Sequence, residues 1–313
     1  METLESPFYF AEVAAAEPGV AFLTAHFYVL DQTDEKVTRA LKYDNGEWYI
    51  IDDLPGIAHC LRFETHPQRA VWILDRYGTA WRFDDSGLAD EDLPIAFNGF
   101  VHSMRRLGGR LLACGGQHSV FVRTDKGWQH YDQGIFQDSP EGLVERSFCD
   151  IDGSAFDDVY CVGWNGAIAH FDGRRWALLE PPTDTVLYRV MCRSRDEVYL
   201  CGANGNLFRG NRRAGWQYLG LEQSEELLYS MAWFAGALYV CSSGGLWRLD
   251  QDQLMPVEPE IDAECPRTYY KMSASEQELW ITTMTPTVYR FDSKNWEVIS
   301  FPSSQGERDV DDD

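Results

Sequence analysis

The sequence predicts an all-β fold, a seven-bladed β-propeller of four-stranded antiparallel blades. Two observations predict it: a strand–turn–strand phrase recurs with a period near 40 residues, and the phrase occurs seven times along the chain. Strands of alternating polarity joined by glycine-containing turns at this period are typical of propeller blades. Helical repeats of similar length would show a 3.6-residue periodicity, which is absent.

Two neighbouring segments, 158–177 and 197–217, carry the phrase most clearly. Each begins with an acid, continues as an alternating apolar strand that ends in glycine, and then turns at Asn-Gly. Both central residues of a type I′ turn need positive φ, which Asn and Gly adopt readily. We therefore expect Asn165-Gly166 and Asn204-Gly205 each to close a hairpin.

An aromatic or aliphatic residue ends the third strand of every unit, and its successive positions are separated by 40, 39, 49, 37, 41 and 42 residues. The long gap contains an insertion, 131–146, between the third and fourth units. Seven such residues predict seven blades. They are Tyr43, Phe83, Val122, Phe171, Phe208, Leu249 and Phe291.

The units divide the chain into one propeller domain, 1–304, and a disordered acidic tail, 305–313. The blade ranges are 1–55, 56–95, 96–142, 143–182, 183–222, 223–259 and 260–304. The first unit is the least regular, with strands expected from Pro7 to Val13, Val20 to Leu30, Val37 to Tyr43 and Trp48 to Ile51. The last unit has four strands of its own, so we expect the ring to close by packing, without strand exchange.

Most units carry a tryptophan near the outer strand, where a wide, flat indole suits the tapering space between blades. It opens the fourth strand in five units and lies in the third strand in two. We interpret these residues as packing residues. They are Trp48, Trp128, Trp176, Trp216 and Trp296, followed by Trp81 and Trp247.

The segment from Asp158 to Trp176, DVYCVGWNGAIAHFDGRRW, resembles the blade repeat D-V-[WY]-x-V-G-x-x-G-x-[IL]-x-[HR]-[FY]-D-G-x-x-W of bacterial β-propellers. The match is fair over 197–216 and looser elsewhere. Gly-Gly pairs are similar to those of kelch blades and the unit length is similar to WD40, although neither signature is kept. The resemblance implies the architecture and assigns no function, because propellers host enzymes, scaffolds and inhibitors.

Composition restricts the function classes. The formal net charge is −23, and such an acidic surface disfavours nucleic acid and favours a basic protein partner. The alternative is that the charge only maintains solubility. No apolar run is long enough to span a membrane, and no signal peptide is evident, so we expect a cytoplasmic monomer. The eight dispersed cysteines predict free, buried thiols.

Aligning the units places one layer of polar residues where the innermost strands begin, at the mouth of the central channel. This layer holds His59, His102, Arg146, Tyr188, Tyr229 and Tyr270. Tyr and Arg often anchor protein partners, so we predict partner contact here. The alternative is that these polar side chains only line a wet channel. Turns on the same face add Arg76, Tyr77, His118 and Trp164.

Enzyme signatures are absent: the sequence has no sialidase Asp-box, GxSxG elbow, HExxH helix or phosphate-binding glycine loop. His59 and His102 occupy equivalent positions in adjacent blades, yet no third ligand is evident, so we predict neither metal nor cofactor. The favoured hypothesis is a non-catalytic inhibitor or immunity-type protein that binds a basic protein, such as a toxin, through the channel mouth. The alternatives are a carbohydrate-active or small-molecule enzyme using that mouth, and a scaffold subunit.

Overall fold

The computed structural model describes residues 8–28, 36–95, 99–136, 146–262 and 265–302, which form 28 strands in seven four-stranded antiparallel sheets. The predicted seven-bladed propeller is confirmed. The predicted tail, 305–313, lies outside the described residues, as do Pro7, residues 29–30 and residues 137–145 of the insertion.

Each blade is an up-and-down meander whose strands are neighbours in the order of the chain. The first four blades are formed by β1 (Phe8–Ala15), β2 (Val20–Phe27), β3 (Val37–Asp44) and β4 (Glu47–Pro55); β5 (Ala58–Glu64), β6 (Ala70–Asp75), β7 (Thr79–Asp84) and β8 (Gly87–Asp92); β9 (Val101–Leu107), β10 (Arg110–Gly115), β11 (Val120–Thr124) and β12 (Gly127–His130); and β13 (Phe148–Ala155), β14 (Asp158–Gly163), β15 (Ile168–Phe171) and β16 (Trp176–Leu179).

The last three blades repeat the same arrangement. They are formed by β17 (Leu187–Cys192), β18 (Val198–Gly202), β19 (Leu207–Asn211) and β20 (Gly215–Tyr218); β21 (Leu228–Phe234), β22 (Ala237–Ser242), β23 (Leu246–Asp250) and β24 (Gln253–Val257); and β25 (Met272–Ala274), β26 (Leu279–Thr282), β27 (Thr287–Phe291) and β28 (Trp296–Ser300). The first strand of each blade packs against the first strands of its neighbours and therefore lines the channel.

The two predicted Asn-Gly hairpins are confirmed. Asn165 has φ 54° and Gly166 has φ 68°, and the N–H of Ala167 donates to the carbonyl of Trp164 at 3.0 Å. Asn204 and Gly205 repeat this geometry with φ 57° and 66°. Positive φ at two successive positions defines the type I′ turn, which matches the right-handed twist of the flanking strands.

The glycine that ends the second strand has a steric role. At Gly163 an added Cβ would lie 1.8 Å from the carbonyl oxygen of Ser147, the residue that precedes β13. That same carbonyl accepts the N–H of Trp164 at 3.0 Å. Gly115 and Gly202 make equivalent close approaches at 2.0 and 2.1 Å. The glycine thus lets the turn between the second and third strands rest on the chain that enters the first strand.

Ring closure occurs without strand exchange, as the sequence predicts. The first and last blades each own four strands. Their facing surfaces share one buried cluster in which Phe10 and Leu23 of the first blade lie against Trp280 and Val288 of the last. Trp48 packs on this cluster and stacks with Phe10 at a ring separation of 5.4 Å.

All eight cysteines are free thiols, five of them buried and three half-buried. Within the described part of the chain, no helix has the length and apolarity needed to cross a membrane.

Candidate functional site

Each innermost strand carries an irregularity close to its start. In blade 5, Leu187 pairs with Gly202 and Arg189 pairs with Cys201, so Tyr188 is left as a bulge between them. A bulge redirects the side chain of the extra residue. The same register shift leaves Ala11, His59, His102, Cys149 and Tyr229 unpaired, and Tyr270 occupies the corresponding position in blade 7.

These seven bulge residues include one correction to the sequence alignment. Blade 4 contributes Cys149, whereas Arg146 lies exposed in the preceding loop, where its carbonyl accepts the N–H of His118 at 2.8 Å. The four-residue pattern apolar–bulge–polar–apolar distinguishes the two positions. Phe148-Cys149-Asp150-Ile151 satisfies this pattern, while the segment around Arg146 begins with the charged Glu145.

The bulge residues of all seven blades line a single cavity of about 390 Å³ at one end of the channel, here called the mouth cavity. Its walls are mainly aromatic rings and imidazoles, and its base carries charged groups. The lining residues are Tyr9, Ala11, Glu12, His26, Ile57, Ala58, His59, His102, Cys149, Trp164, Tyr188, Arg189, Tyr229, Tyr270 and Lys271.

One wall is a pair of imidazoles. The rings of His59 and His102 stack at 5.2 Å, and their Nδ1 atoms lie 3.1 Å apart, so one Nδ1–H donates to the other Nδ1. Burial lowers the pKa of His59 to about 2, with further contributions from His102 and Arg76. Burial, with Arg76 and Lys271 nearby, lowers the pKa of His102 to about 4. Both rings are therefore neutral at pH 7.

The opposite wall is a row of three tyrosines. Tyr188 and Tyr229 have ring centres 6.2 Å apart, and Tyr229 meets Tyr270 edge to face at 5.5 Å. Burial raises the pKa of Tyr188 and of Tyr229, so their phenols stay protonated and act as donors. The three side chains are half-buried, which leaves part of each ring open to the cavity.

The base of the mouth cavity is a layer of charges that the sequence alignment missed. Glu12 Oε1 lies 3.5 Å from Arg189 Nη2 and 3.4 Å from Lys271 Nζ. Arg189 Nη1 also lies 3.7 Å from Asp150 Oδ1. Burial opposes the charge on Arg189, but Asp150 and Glu12 outweigh it and raise the pKa of the guanidinium. These charged residues occupy the third position of the four-residue pattern. The polar residue at that position was the signal in the sequence that could have identified them.

A second cavity of about 340 Å³ opens on the other side of this charged layer. Glu12 and Arg189 line both cavities, so they lie between the two ends of the channel. The second cavity is lined by Leu61, Phe63 and Met272 among others, without any of the bulge residues. The predicted site therefore corresponds to the mouth cavity alone.

Four predicted residues lie on turns of the mouth face. Trp164 lines the cavity and is 36% exposed. Arg76 lies over the ring of Phe100, outside the cavity, and Tyr77 is exposed beside it. His118 is buried and its ring stacks on that of Phe148 at 4.7 Å. It therefore packs between two blades and does not present its side chain to a partner.

The connectors from an outer strand to the next innermost strand run over the mouth face, as Ile57 shows by lining the cavity. Three of them, 180–186, 219–227 and the described residues 258–262 and 265–271, lead to the three tyrosines and carry exposed carboxylates, here called the acidic rim. Arg267 is the only cation that they contain before Lys271. The acidic rim consists of Glu180, Asp184, Glu222, Glu225, Glu258, Glu260 and Asp262.

The residues that line the mouth cavity do not include the pair of carboxylates that a glycosidase uses. A glycosidase needs two carboxylates about 5–10 Å apart across the substrate. The mouth cavity presents one, Glu12, and it is already paired with two cations. Among the described residues, no three His, Cys, Asp or Glu side chains are grouped so as to hold a metal ion.

Comparison with known proteins adds a functional relative. The chain is similar to an immune protein. It is 29% identical over 265 residues to immune protein Tsi7 of Pseudomonas aeruginosa, and the match covers 82% of this chain and 85% of the relative. No family model matches the chain.

Solved structures show the same fold at low sequence identity. The WD40 propeller domain of Doa1 superposes with a TM-score of 0.68 and 10% identity, covering 92% of this chain and 94% of Doa1. YCF48 bound to D1 peptide gives 0.66 and 11%, covering 93% and 94%. Sqt1 of Chaetomium thermophilum, bound to the N-terminus of ribosomal protein L10, gives 0.64 and 14%, covering 94% and 87%.

Proposed function

We propose that this protein is an immunity protein that binds a basic toxin through its mouth face and thereby neutralises it. The observation that carries the proposal is the match to immune protein Tsi7 along 82% of the chain. The sequence-based prediction of an immunity-type, protein-binding propeller is confirmed at this level. The toxin, its basic charge and the mouth face as the contact surface belong to the proposal.

The composition of the mouth cavity supports this face as the contact surface. Tyr188, Tyr229 and Tyr270 form a continuous half-buried row, and Trp164 stands exposed at its edge. Tyr and Trp dominate binding energy at protein interfaces because they bring large contact area with few rotors to immobilise. Tyr188 and Tyr229 are each held between two paired residues of their strands, so little ordering cost remains to be met there on binding.

The acidic rim supports a basic partner. Its exposed carboxylates lie on the connectors that lead to the tyrosine row, and the arginine on these connectors, Arg267, is paired with Glu258 at 2.6 Å. A patch of one sign attracts an oppositely charged protein before contact and increases the association rate, an effect that salt screens. The proposal also includes a cytoplasmic location, which the eight free thiols support, and a monomeric state. It further includes membership of the bacterial propellers, whose blade repeat is similar to segment 158–176.

The experiment uses a basic toxin domain encoded beside the gene for this chain. Co-expression should restore growth of cells that produce the toxin, which separates neutralisation from a scaffolding role. The association rate of the purified pair is then measured by surface plasmon resonance at 50 and 300 mM salt. We expect Glu222→Gln/Glu225→Gln in the acidic rim to slow association several-fold at low salt.

The matched control is Glu47→Gln/Asp125→Asn, which removes two exposed acids where third strands connect to fourth strands, on the opposite face. This control should leave the rate unchanged. Failure of the chain to restore growth contradicts the immunity function. An equal loss of rate in both variants contradicts the mouth face as the contact surface.

A further inference from the structure

We infer that the mouth cavity receives the carboxylate of an Asp or Glu side chain from the partner, seated on Lys271 and Arg189. The inference deepens the proposed function and rests on it, because it concerns the same face and a protein partner. It assigns opposite roles to two parts of that face. The acidic rim attracts a basic surface, and the base of the cavity selects an acidic anchor within it.

The first step is that two cations share one carboxylate oxygen. Glu12 Oε1 lies 3.4 Å from Lys271 Nζ and 3.5 Å from Arg189 Nη2, both at the long end for charge-assisted hydrogen bonds. An ammonium has three donors and a guanidinium has five. Within the described residues, Glu12 is the one carboxylate that pairs with Lys271. Most of the donor capacity at the base of the cavity therefore remains available.

The second step is that Asp150 does not use this capacity. Its Oδ1 accepts the Ser103 hydroxyl at 2.6 Å, and its Oδ2 accepts the N–H of Val190 at 3.1 Å. Arg189 Nη1 stays 3.7 Å away. Asp150 is thus hydrogen-bonded by neutral donors of two blades and meets Arg189 only in a longer ion pair.

The third step concerns the walls, which add donors and no further anion. His59 and His102 are neutral, and the phenols of Tyr188 and Tyr229 are protonated. Glu12 is the one carboxylate among the residues that line the mouth cavity, against Lys271 and Arg189. Lys271 shares Glu12 with Arg189, so an incoming carboxylate gains Coulomb attraction and charge-assisted hydrogen bonds from the remaining ammonium donors.

The fourth step concerns the volume of the mouth cavity and the charge of the acidic rim. A volume of about 390 Å³ equals that of roughly a dozen water molecules at about 30 Å³ each, which is room for one side chain and its backbone. A segment with many acids would be repelled by the acidic rim. The occupant is therefore one Asp or Glu side chain on an otherwise basic or neutral loop of the partner.

The test is a selection that does not depend on the toxin. A phage-displayed library of random heptapeptides, fused at both peptide ends, is panned on the purified full chain, on Lys271→Gln, on Lys271→Arg and on the control Lys126→Gln. Lys126 is exposed in a turn between third and fourth strands, away from the mouth. Urea unfolding of each variant confirms that it is folded before panning.

We expect Asp or Glu to be enriched at one peptide position with the wild type, Lys126→Gln and Lys271→Arg, and this enrichment to vanish with Lys271→Gln. A selected peptide, acetylated and amidated, should bind at least tenfold more tightly by fluorescence polarisation than its Asn or Gln analogue. Enrichment of Lys or Arg, or acidic peptides that bind Lys271→Gln equally well, would overturn the inference. If the chain neutralises the toxin but panning enriches no acidic residue, the proposed function stands and the inference fails. If panning enriches an acidic residue but the chain does not bind the toxin, only the proposed function fails.

Discussion

The backbone N–H of Gly19 in blade 1 lies 3.0 Å from each carboxylate oxygen of Glu278 in blade 7 and donates to that carboxylate across 259 residues of sequence. Glu278 is buried, and it also accepts the indole N–H of Trp280 at 3.0 Å and lies 3.5 Å from Arg290. One carboxylate thus links the first blade to the last in a ring that closes without shared strands.

Replacement of this carboxylate should loosen the closure. Glu278→Ala leaves the N–H groups of Gly19 and Trp280 buried without an acceptor and removes a partner of Arg290. We expect the free energy of unfolding to fall by about 3 kcal/mol, measured by urea denaturation. The control is Glu297→Ala, which removes an exposed partner of the same arginine and should cost at most about 1 kcal/mol. Equal losses in the two variants would contradict the role of Glu278 in closure.

The imidazole pair predicts a pH dependence of stability. Folding lowers the pKa of His59 to about 2 and of His102 to about 4, against about 6.5 in the unfolded chain, because both rings are buried near cations. The unfolded state therefore binds protons first as the pH falls. The contribution of the pair to stability is complete above pH 6.5 and is lost progressively below it.

His59→Asn/His102→Asn should flatten this dependence. Between pH 7 and pH 5 we expect the double variant to lose about 4 kcal/mol less unfolding free energy than the wild type, because each of the two rings contributes about 2 kcal/mol; urea denaturation at each pH provides the measurement. His66→Asn, at an exposed position, is the control and should keep the wild-type slope. A double variant with an unchanged slope would show that the pair is not buried in its neutral form.

Cys149 is predicted to be unreactive despite its position in the mouth cavity. Burial, with Cys114 nearby, raises its pKa to about 12, so the thiolate fraction at pH 8 is about 10⁻⁴. Alkylation by iodoacetamide at pH 8, followed by mass spectrometry of the peptide that contains Cys149, should be at least 100-fold slower in the native protein than in urea. Comparable rates in the two states would indicate an open, solvated thiol.

Trp164 tests the mouth face directly. It is 36% exposed at the edge of the cavity, so Trp164→Ala should change unfolding free energy by no more than about 0.5 kcal/mol. Affinity for the toxin should fall at least tenfold, because exposed aromatic anchors dominate interfaces. Tyr49→Ala, which removes a 52% exposed ring from the outer strand of blade 1, should leave affinity unchanged. Isothermal titration calorimetry provides the measurement, and equal affinities for both variants would contradict the proposed contact surface.

Local patterns in the sequence were sufficient to predict the blades. Alternating apolar residues, Asn165-Gly166 and the recurring tryptophans act over a few residues, so the hairpins and the closure mode were predictable. The same local reasoning found five of the seven bulge positions. It placed Arg146 where Cys149 belongs because an insertion precedes β13 and the residue two positions later is apolar in both registers.

Seven blades and the residue types at the channel mouth therefore follow from the chain read on its own, because strand periodicity and turn chemistry are short-range. Only the closed ring stacks His59 on His102, aligns the three tyrosines in a row and places one oxygen of Glu12 between two cations. Bulges change side-chain direction by a shift of a single residue, and radial packing brings Glu12 against Lys271 across almost the whole sequence. The residue types have local signals but the distances between them do not, so tertiary structure decided how the acidic rim and the charged base of the mouth cavity come together.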